Sequence, residues 1–396
     1  MLQVSDAPGR MLALVAIGQF LGMTLWFSAT AASPRIAAEL GLSTIQTAWL
    51  TIGVQGGFVI GTLISAVLNL ADVFNARRVF AVGCAIGAAA NAAIATTADP
   101  NAIIALRFAT GAALACVYPP GMKIAAGWFK ERRGMALGVL VGAVCLGSGF
   151  PHLLAWSAAA VPWRTLMLAS SLLALAGGVL VWLTVKDGPH VAASAPFDPH
   201  AIGAVLRNRG ARLATFGYLG HMWELYAVWA WIPAFATAWL TTASVAPGRT
   251  GSLVAFVAIA SGAIGCAIAG IWADRWGKAR IAGGALAISG TCSLFAGGLF
   301  GGPAWLLFAL AVVWGFSVVA DSAQFSALVT EHSPRTHVGT ALTLQTSAGF
   351  LLTMVSLQLL PLLANSYGWQ WVFVLLVPGP VLGAIAMRRM PPAPPT

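Results

Sequence analysis

Charge is what this chain has least of. Asp, Glu, Lys and Arg together make up 8% of its 396 residues, against roughly 25% in a soluble globular protein. That scarcity excludes an ordinary water-soluble domain. Acidic residues are rarest, 11 against 21 Lys and Arg, and the formal net charge is +10. The excess does not point to nucleic acid, because the cations stand in short loops between apolar runs and form no continuous basic face. Cysteine is scarce too. Cys84, Cys116, Cys145, Cys266 and Cys292 are odd in number, scattered, and all inside apolar runs, so neither a disulfide framework nor a zinc site is expected. Enzyme signatures are missing: there is no His-x-x-Glu-His, no Gly-x-Ser-x-Gly and no phosphate-cradling glycine loop in the right context. His221 and Glu224 stand at helical spacing, but a metal site needs more ligands than two. No enzyme activity, metal or cofactor is expected.

What the chain has is apolar length. Hydrophobic residues make up 59% and the mean hydropathy is +0.85. A helix crossing about 30 Å of hydrocarbon needs about 20 residues. Twelve such runs can be drawn: 11–32, 45–70, 79–98, 101–127, 134–158 and 164–184, then 212–240, 251–273, 281–300, 304–329, 338–364 and 369–387. Met1 to Arg10 reads as a short polar tail with no cleavable signal. Residues 185–211 form the one long polar connection, carrying Lys186, Asp187, His190, Pro196, Asp198, Pro199, His200, Arg207 and Arg209. The expected fold class is therefore an all-α membrane protein of twelve transmembrane helices in two six-helix bundles, 1–184 and 212–396, joined by a linker at 185–211. With the N-terminus inside, Arg35, Arg164 and Arg249 alone fall outside, and Arg107 and Lys123 fall within the fourth run. All other cations then lie at cytoplasmic ends, so both termini are expected in the cytoplasm.

The halves repeat weakly, as transporter halves often do. Asp72 and Asp274 are 202 residues apart, Gly134 and Gly339 205, and Trp163 and Trp369 206. Gly53, Gly57 and Gly61, and again Gly134, Gly138 and Gly142, recur at four-residue spacing, which lets helix backbones approach closely in lipid. The eighth run ends in Gly270-Ile271-Trp272-Ala273-Asp274-Arg275-Trp276-Gly277-Lys278-Ala279-Arg280. In it Asp274 is expected to accept nearby backbone N–H groups and Gly277 to supply a turn at positive φ. The first-half copy is worn to Asp72-Val73-Phe74-Asn75-Ala76-Arg77-Arg78, with Asn75 expected to stand in for the turn glycine.

Gly270-x-x-x-Asp274-Arg275-x-Gly277-Lys278 resembles the loop motif of the major facilitator superfamily between helices 8 and 9. The general layout is more weakly similar to the nitrate/nitrite porter and cyanate permease neighbourhood. Nitrate itself is disfavoured, because 45–70 and 251–273 hold no arginine inside the span. The resemblance implies a secondary transporter in which helices 1, 4, 7 and 10 line a central cavity. It implies a conformational role for Gly270, Asp274, Arg275, Gly277 and Lys278, with Asp72, Arg77 and Arg78 as the first-half counterpart.

Four formal charges fall inside the runs: Arg107 and Lys123 in the fourth, Glu224 in the seventh and Asp321 in the tenth. Each costs about 2.5–3.5 kcal/mol at a helix centre, so such residues are expected to face water or a partner. Polar stripes accompany them at helical spacing: Gln19, Met23, Trp26 and Thr30 in the first run; Arg107, Gly111, Leu114 and Tyr118 in the fourth; Tyr218, His221 and Glu224 in the seventh; Trp314, Ser317, Asp321 and Gln324 in the tenth. Pro119-Pro120-Gly121 is expected to break the fourth helix and reset its register. His221 reads about as well as a hydrogen-bonded core residue, and His152 reads more readily as a core residue than as a functional one.

The expected mechanism is proton-coupled uptake of a small organic anion by alternating access. Arg107 and Lys123 attract the anion, and Asp321 or Glu224, with His221 nearby, binds the proton. Arg107-x-x-x-Gly111 also resembles a superfamily motif associated with proton coupling. Burial favours the neutral carboxyl and a nearby cation the charged one, so an anion that neutralises the cation favours protonation. The alternative is proton-coupled efflux of an amphipathic compound, on the Trp- and Met-bearing faces (Met23, Trp26, Trp223, Trp314). The expected partners are a small-molecule substrate, protons and the lipid bilayer, with no nucleic acid. The expected form is a monomer in the cytoplasmic (inner) membrane of a bacterium.

Overall fold

The computed structural model describes residues 7–129, 133–157, 161–190 and 198–392, with Asp72, Arg133 and Arg335 described in their backbone alone. Lys130, Arg132 and Pro196 lie outside the described residues. Every regular element among them is helical.

The helices before the central connection are α1 (Ala7–Met23), α2 (Ser28–Leu40), α3 (Thr44–Val67), the single turn α4 (Leu70–Val73), α5 (Ala76–Ala93), α6 (Pro100–Leu114), α7 (Tyr118–Trp128), α8 (Arg133–Ser157) and α9 (Trp163–Thr184). The connection contains the short α10 (Ile202–Arg207). After it come α11 (Arg209–Thr242), α12 (Thr250–Trp276), α13 (Lys278–Leu299), α14 (Ala304–Ala320), α15 (Ser322–His332), α16 (Val338–Tyr367) and α17 (Pro378–Arg388). Local chemistry fixes several ends. Ser43 and Gln46 form a reciprocal capping box at the start of α3. Asp99 accepts from Asn101 N at 3.0 Å ahead of Pro100, the first residue of α6. Gly41 (φ 65°), Gly277 (φ 90°) and Gly368 (φ 79°) follow α2, α12 and α16, where a Cβ is strained.

Among the described residues, ten helical stretches are long and apolar enough to cross a membrane. The seventh and the last of the twelve expected runs are outside that set. Helix α11 has the length, 34 residues, but its Trp, Tyr, His and Glu dilute its hydropathy, and it is largely buried among other helices. The last run divides into a turn at Val372–Leu376 and the 11-residue α17.

Three of the expected runs are broken at mid-depth, α1/α2 at 24–27, α6/α7 at 115–117 and α14/α15 at Asp321, and only the break in the fourth run was expected. The second break lies just ahead of Pro119 and Pro120, which occupy the first turn of α7, where a missing N–H costs nothing. The other two breaks have no proline and left no mark on hydropathy.

Packing recurs across the chain. Helix α1 packs on α8 and α9, α3 on α6, and α5 on α9; α11 packs on α16 and α17, α12 on α14, and α13 on α17. The same atoms meet at an offset of 204 residues. A Cβ on Gly111 would strike the Val54 carbonyl and one on Gly315 the Ala258 carbonyl; one on Gly61 would meet the Ala112 carbonyl (2.6 Å) and one on Gly265 that of Phe316. The glycine stripe of α3 thus faces α6. Two further contacts, α8 along α12 and α3 along α16, join elements before and after the connection.

Candidate functional site

Arg107 lies on α6 with no exposed surface. Its Nε donates to the Leu50 carbonyl (2.9 Å), Nη1 to the Leu25 carbonyl (2.9 Å), and Nη2 to the Trp26 carbonyl. Ser28 Oγ and Asn91 Oδ1 each lie 3.3 Å from Nη1. Breaking a helix orphans carbonyls that bilayer or core cannot solvate. The planar five-donor fork of arginine suits several of them at once. Whatever part its charge plays toward an anion, the guanidinium holds the α1/α2 break. Asn91, which accepts from Ser28 Oγ (2.7 Å) and donates to Ser171 Oγ and the Met167 carbonyl (both 3.0 Å), completes this node.

Glu224 and His221, expected to act together, are separated by their partners. Glu224 accepts from Ser289 Oγ (2.7 Å), Ser293 Oγ (2.6 Å) and Trp314 Nε1 (2.8 Å), which belong to α13 and α14. Nδ1 of His221 stands 2.8 Å from Oδ1 of Asp321, with each side chain 1% exposed. The second nitrogen of His221 and the second oxygen of Asp321 have no hydrogen-bond partner among the described residues. Asp321 occupies the single non-helical position between α14 and α15. The expected stripe on the tenth run is split accordingly. Trp314 turns to Glu224, Ser317 Oγ returns to the Val313 carbonyl of its own helix (2.8 Å), and Gln324 is buried beyond the break.

The remaining predicted residues fall in several places. Both polar ends of Gln19 are buried without a partner, beside Gly121 of α7. Tyr218 is buried against His221 and Phe325, with ring centroids at 5.9 and 6.2 Å, while Tyr118 is half-buried. Lys123 is also half-buried, and its Nζ donates to the Ala71 carbonyl (2.7 Å) at the end where α7 meets the loops.

Trp26 sits in an aromatic cluster that sequence reading missed. Its ring lies 4.9 Å from Phe58, 5.8 Å from Tyr226 and 5.7 Å from Phe350. Phe27 continues the cluster to Tyr226 (6.2 Å), Trp229 (5.9 Å) and His152 (6.3 Å). The signal was present in Tyr226, one of only four tyrosines, at mid-run.

At the loops, Gly277 takes φ 90° and ψ 138°, as the motif required, and Lys278 Nζ meets Glu331 Oε1 at 2.5 Å, joining α13 to α15. Two expectations are corrected. Asp274 is exposed and makes no hydrogen bond among the described residues. Asn75 is extended (φ −61°, ψ 124°) and caps α5 by accepting from Arg77 N at 3.0 Å; the left-handed residue is Asn69 (φ 49°). Gly270 has open space where a Cβ would go, Arg275 and Arg78 are exposed, and the side chain of Asp72 lies outside the described residues. Arg77 instead engages Asp187 (Nε to Oδ1 3.1 Å) and the Val185 carbonyl (2.6 Å), tying α5 to the end of α9.

The family model described as Major Facilitator Superfamily matches residues 15–247 and 216–396. The chain belongs to the major facilitator superfamily. This superfamily member is 23% identical over 95% of its length to the hexuronate transporter of Escherichia coli K12, covering 92% of that protein. It is 26% identical to the galacturonate transporter of Dickeya chrysanthemi over 48% of this chain and 54% of that one. The crystal structure of the nucleoside transporter NupG superposes with a TM-score of 0.70 at 16% identity, covering 96% of this chain and 99% of that one, a likeness of fold. None of the three is a nitrate or cyanate porter, so that weaker resemblance gains no support from them. Membership makes this a membrane protein of a transporter family.

Proposed function

We propose that this chain is a proton-coupled secondary transporter that takes up a small organic anion by alternating access. Twelve crossings form two six-helix halves, 1–184 and 212–396, joined by the 185–211 connection, with both termini in the cytoplasm of a bacterium and a monomer as the working unit. The observation that carries the reading is the His221–Asp321 pair. It is buried at mid-depth, on a helix break, and apart from their mutual 2.8 Å contact the two side chains have no polar partner among the described residues. Broken backbone and ionisable pairs at membrane depth mark ion pathways. A proton can sit on either partner there and be exchanged when the pair is wetted. The hexuronate and galacturonate relatives act on carboxylated sugars by their names, which favours an organic acid as cargo. The efflux alternative gains no support from them.

The test uses purified protein in proteoliposomes with labelled D-galacturonate. An inward proton gradient should drive accumulation in the parent. Asp321→Asn, which fixes a neutral side chain, should lose gradient-driven uptake while keeping exchange of external for internal solute. Gradient-driven uptake surviving in Asp321→Asn would remove the pair from the coupling.

A further inference from the structure

The aromatic cluster contains polar atoms that nothing satisfies. His152 is 1% exposed, and neither ring nitrogen has a partner among the described residues; the same holds for the indole N–H of Trp26 and of Trp229, and for both amide atoms of Gln55. These are not scattered. His152 and Trp229 both border the Phe27 ring, and Trp26 borders Tyr226, which stacks on Phe27 with planes 9° apart. Gln55 lies one helical turn from Phe58, the edge partner of Trp26. Buried donors left unpaired each cost about 1–3 kcal/mol. A group of them in one apolar cluster is the state of a binding site closed on itself. The contacts joining Trp26, Phe27 and Phe58 to Tyr226, Trp229 and Phe350 also join elements before and after the central connection. The cluster is thus the seam that any solute crossing the protein must part.

We infer that this seam is the substrate site and that its ligand is a ring-bearing monocarboxylic acid. The ring takes over the flat contacts that Phe27, Tyr226 and Trp26 now make with one another, and the polar substituents take up the indole N–H groups, the Gln55 amide and His152. A flat solute face replaces ring contacts at little cost, whereas a floppy chain would lose them. The carboxylate goes to His152. Arg107 is committed to backbone carbonyls, and Lys123 donates to the Ala71 carbonyl away from the cluster. Imidazole is the group of the seam able to carry positive charge. This rests on the proposed uptake of an organic anion.

The experiment measures counterflow in proteoliposomes for the parent, His152→Gln and Trp229→Phe, with D-galacturonate, 3,4-dihydroxybenzoate, acyclic D-gluconate and neutral D-galactose. The two ring acids separate a sugar acid from an aromatic one. At least one should exchange in the parent with a KM about tenfold below that of gluconate. Trp229→Phe keeps an aromatic ring while removing the indole N–H and the smaller half of the bicycle, and its folding is checked by thermal unfolding; it and His152→Gln should each raise that KM about tenfold with maximal rate within about twofold. Gluconate exchanging as well as either ring acid, both variants keeping the parent KM, or no ring acid exchanging in the folded parent overturns the site assignment. Loss of anion transport altogether with galactose still exchanging would instead overturn the underlying reading of the cargo as an anion.

Discussion

Replacing Arg107 separates two roles that its charge alone does not distinguish. If it served as an electrostatic lure, lysine would keep most of its value. If it serves as a fork for carbonyls, lysine fails nearly as badly as a neutral residue, because one ammonium cannot reach the Leu25, Trp26 and Leu50 carbonyls together. The size of the effect follows from those contacts. Arg107→Gln leaves the Leu25 carbonyl with Ser28 Oγ at 2.9 Å but takes the guanidinium from Trp26 at the break. Each hydrogen bond to a charged group contributes about 1.5–3 kcal/mol and an orphaned buried carbonyl costs about 1–3. Against this stands the relief of no longer burying a cation. The balance is a loss of about 2–4 kcal/mol, a large share of a typical net stability of about 5–15. Thermal unfolding in detergent, followed by intrinsic fluorescence, should show Arg107→Lys and Arg107→Gln destabilised to a similar degree, with transport falling in proportion to folded protein. An Arg107→Lys protein as stable and active as the parent, beside a failing Arg107→Gln, would refute the fork.

The other predictions use the same contacts. Gly111→Ala and Gly315→Ala drive a methyl into a neighbouring helix carbonyl and should each cost about 1–3 kcal/mol or more, whereas Gly134→Ala and Gly284→Ala, with open space around the new Cβ, should be neutral or gain about 0.5–1 kcal/mol in unfolding measurements. Arg249 Nη1 donates to the Trp156 carbonyl (2.7 Å) and Asn365 Nδ2 to Thr44 Oγ1 (2.8 Å), both across the seam at the end opposite the basic loops. The double variant Arg249→Ala/Asn365→Ala should therefore raise, several-fold, maleimide labelling of a cysteine placed at Gln55 from that side. Glu224→Gln should lose about 1–3 kcal/mol of stability by disturbing the bonds from Ser289, Ser293 and Trp314, yet keep proton-driven uptake, because Glu224 does not touch the His221–Asp321 pair; uptake lost with the fold intact would put Glu224 back on the proton path.

Much of the architecture was legible because hydrophobic length and glycine are local signals. Ten of the runs, the glycine stripe of α3, and the turns at Gly277 and before α7 lie, among the described residues, near where a residue-by-residue reading puts them. The site was legible only as a set of expensive residues. Arg107, His221, Glu224 and Asp321 are all buried inside the protein, as their cost requires. Which of them meet could not be read, because helical spacing assumes an unbroken helix, and α14/α15 breaks at Asp321 itself. Asn75 shows the same limit on a smaller scale. Its side chain caps α5 and donates to Asp187 (2.8 Å), a contact spanning more than a hundred residues. Tyr226 apart, the aromatic residues carried little signal, since a Trp or Phe in an apolar run reads as packing until its partners across the seam are known.

The internal repeat explains why charge and chemistry are distributed as they are. At the 204-residue offset at which the α6 and α14 contacts repeat, Asp321 corresponds to Val117, the last position of the break between α6 and α7. At the 202-residue offset of Asp72 and Asp274, His221 corresponds to Gln19, whose two polar atoms are buried and unpartnered as well. The same two positions therefore hold a titratable pair in one repeat and a neutral amide and a valine in the other. The cation of the first repeat, Arg107, is spent on backbone. Two related bundles that keep the same helix contacts need not both move a proton. One can keep its breaks rigid with a permanently charged fork while the other places a removable charge at the equivalent break. The double variant Val117→Asp/Gln19→His would then add a second buried pair without its own stabilising network, and it should fold less well rather than couple a second proton.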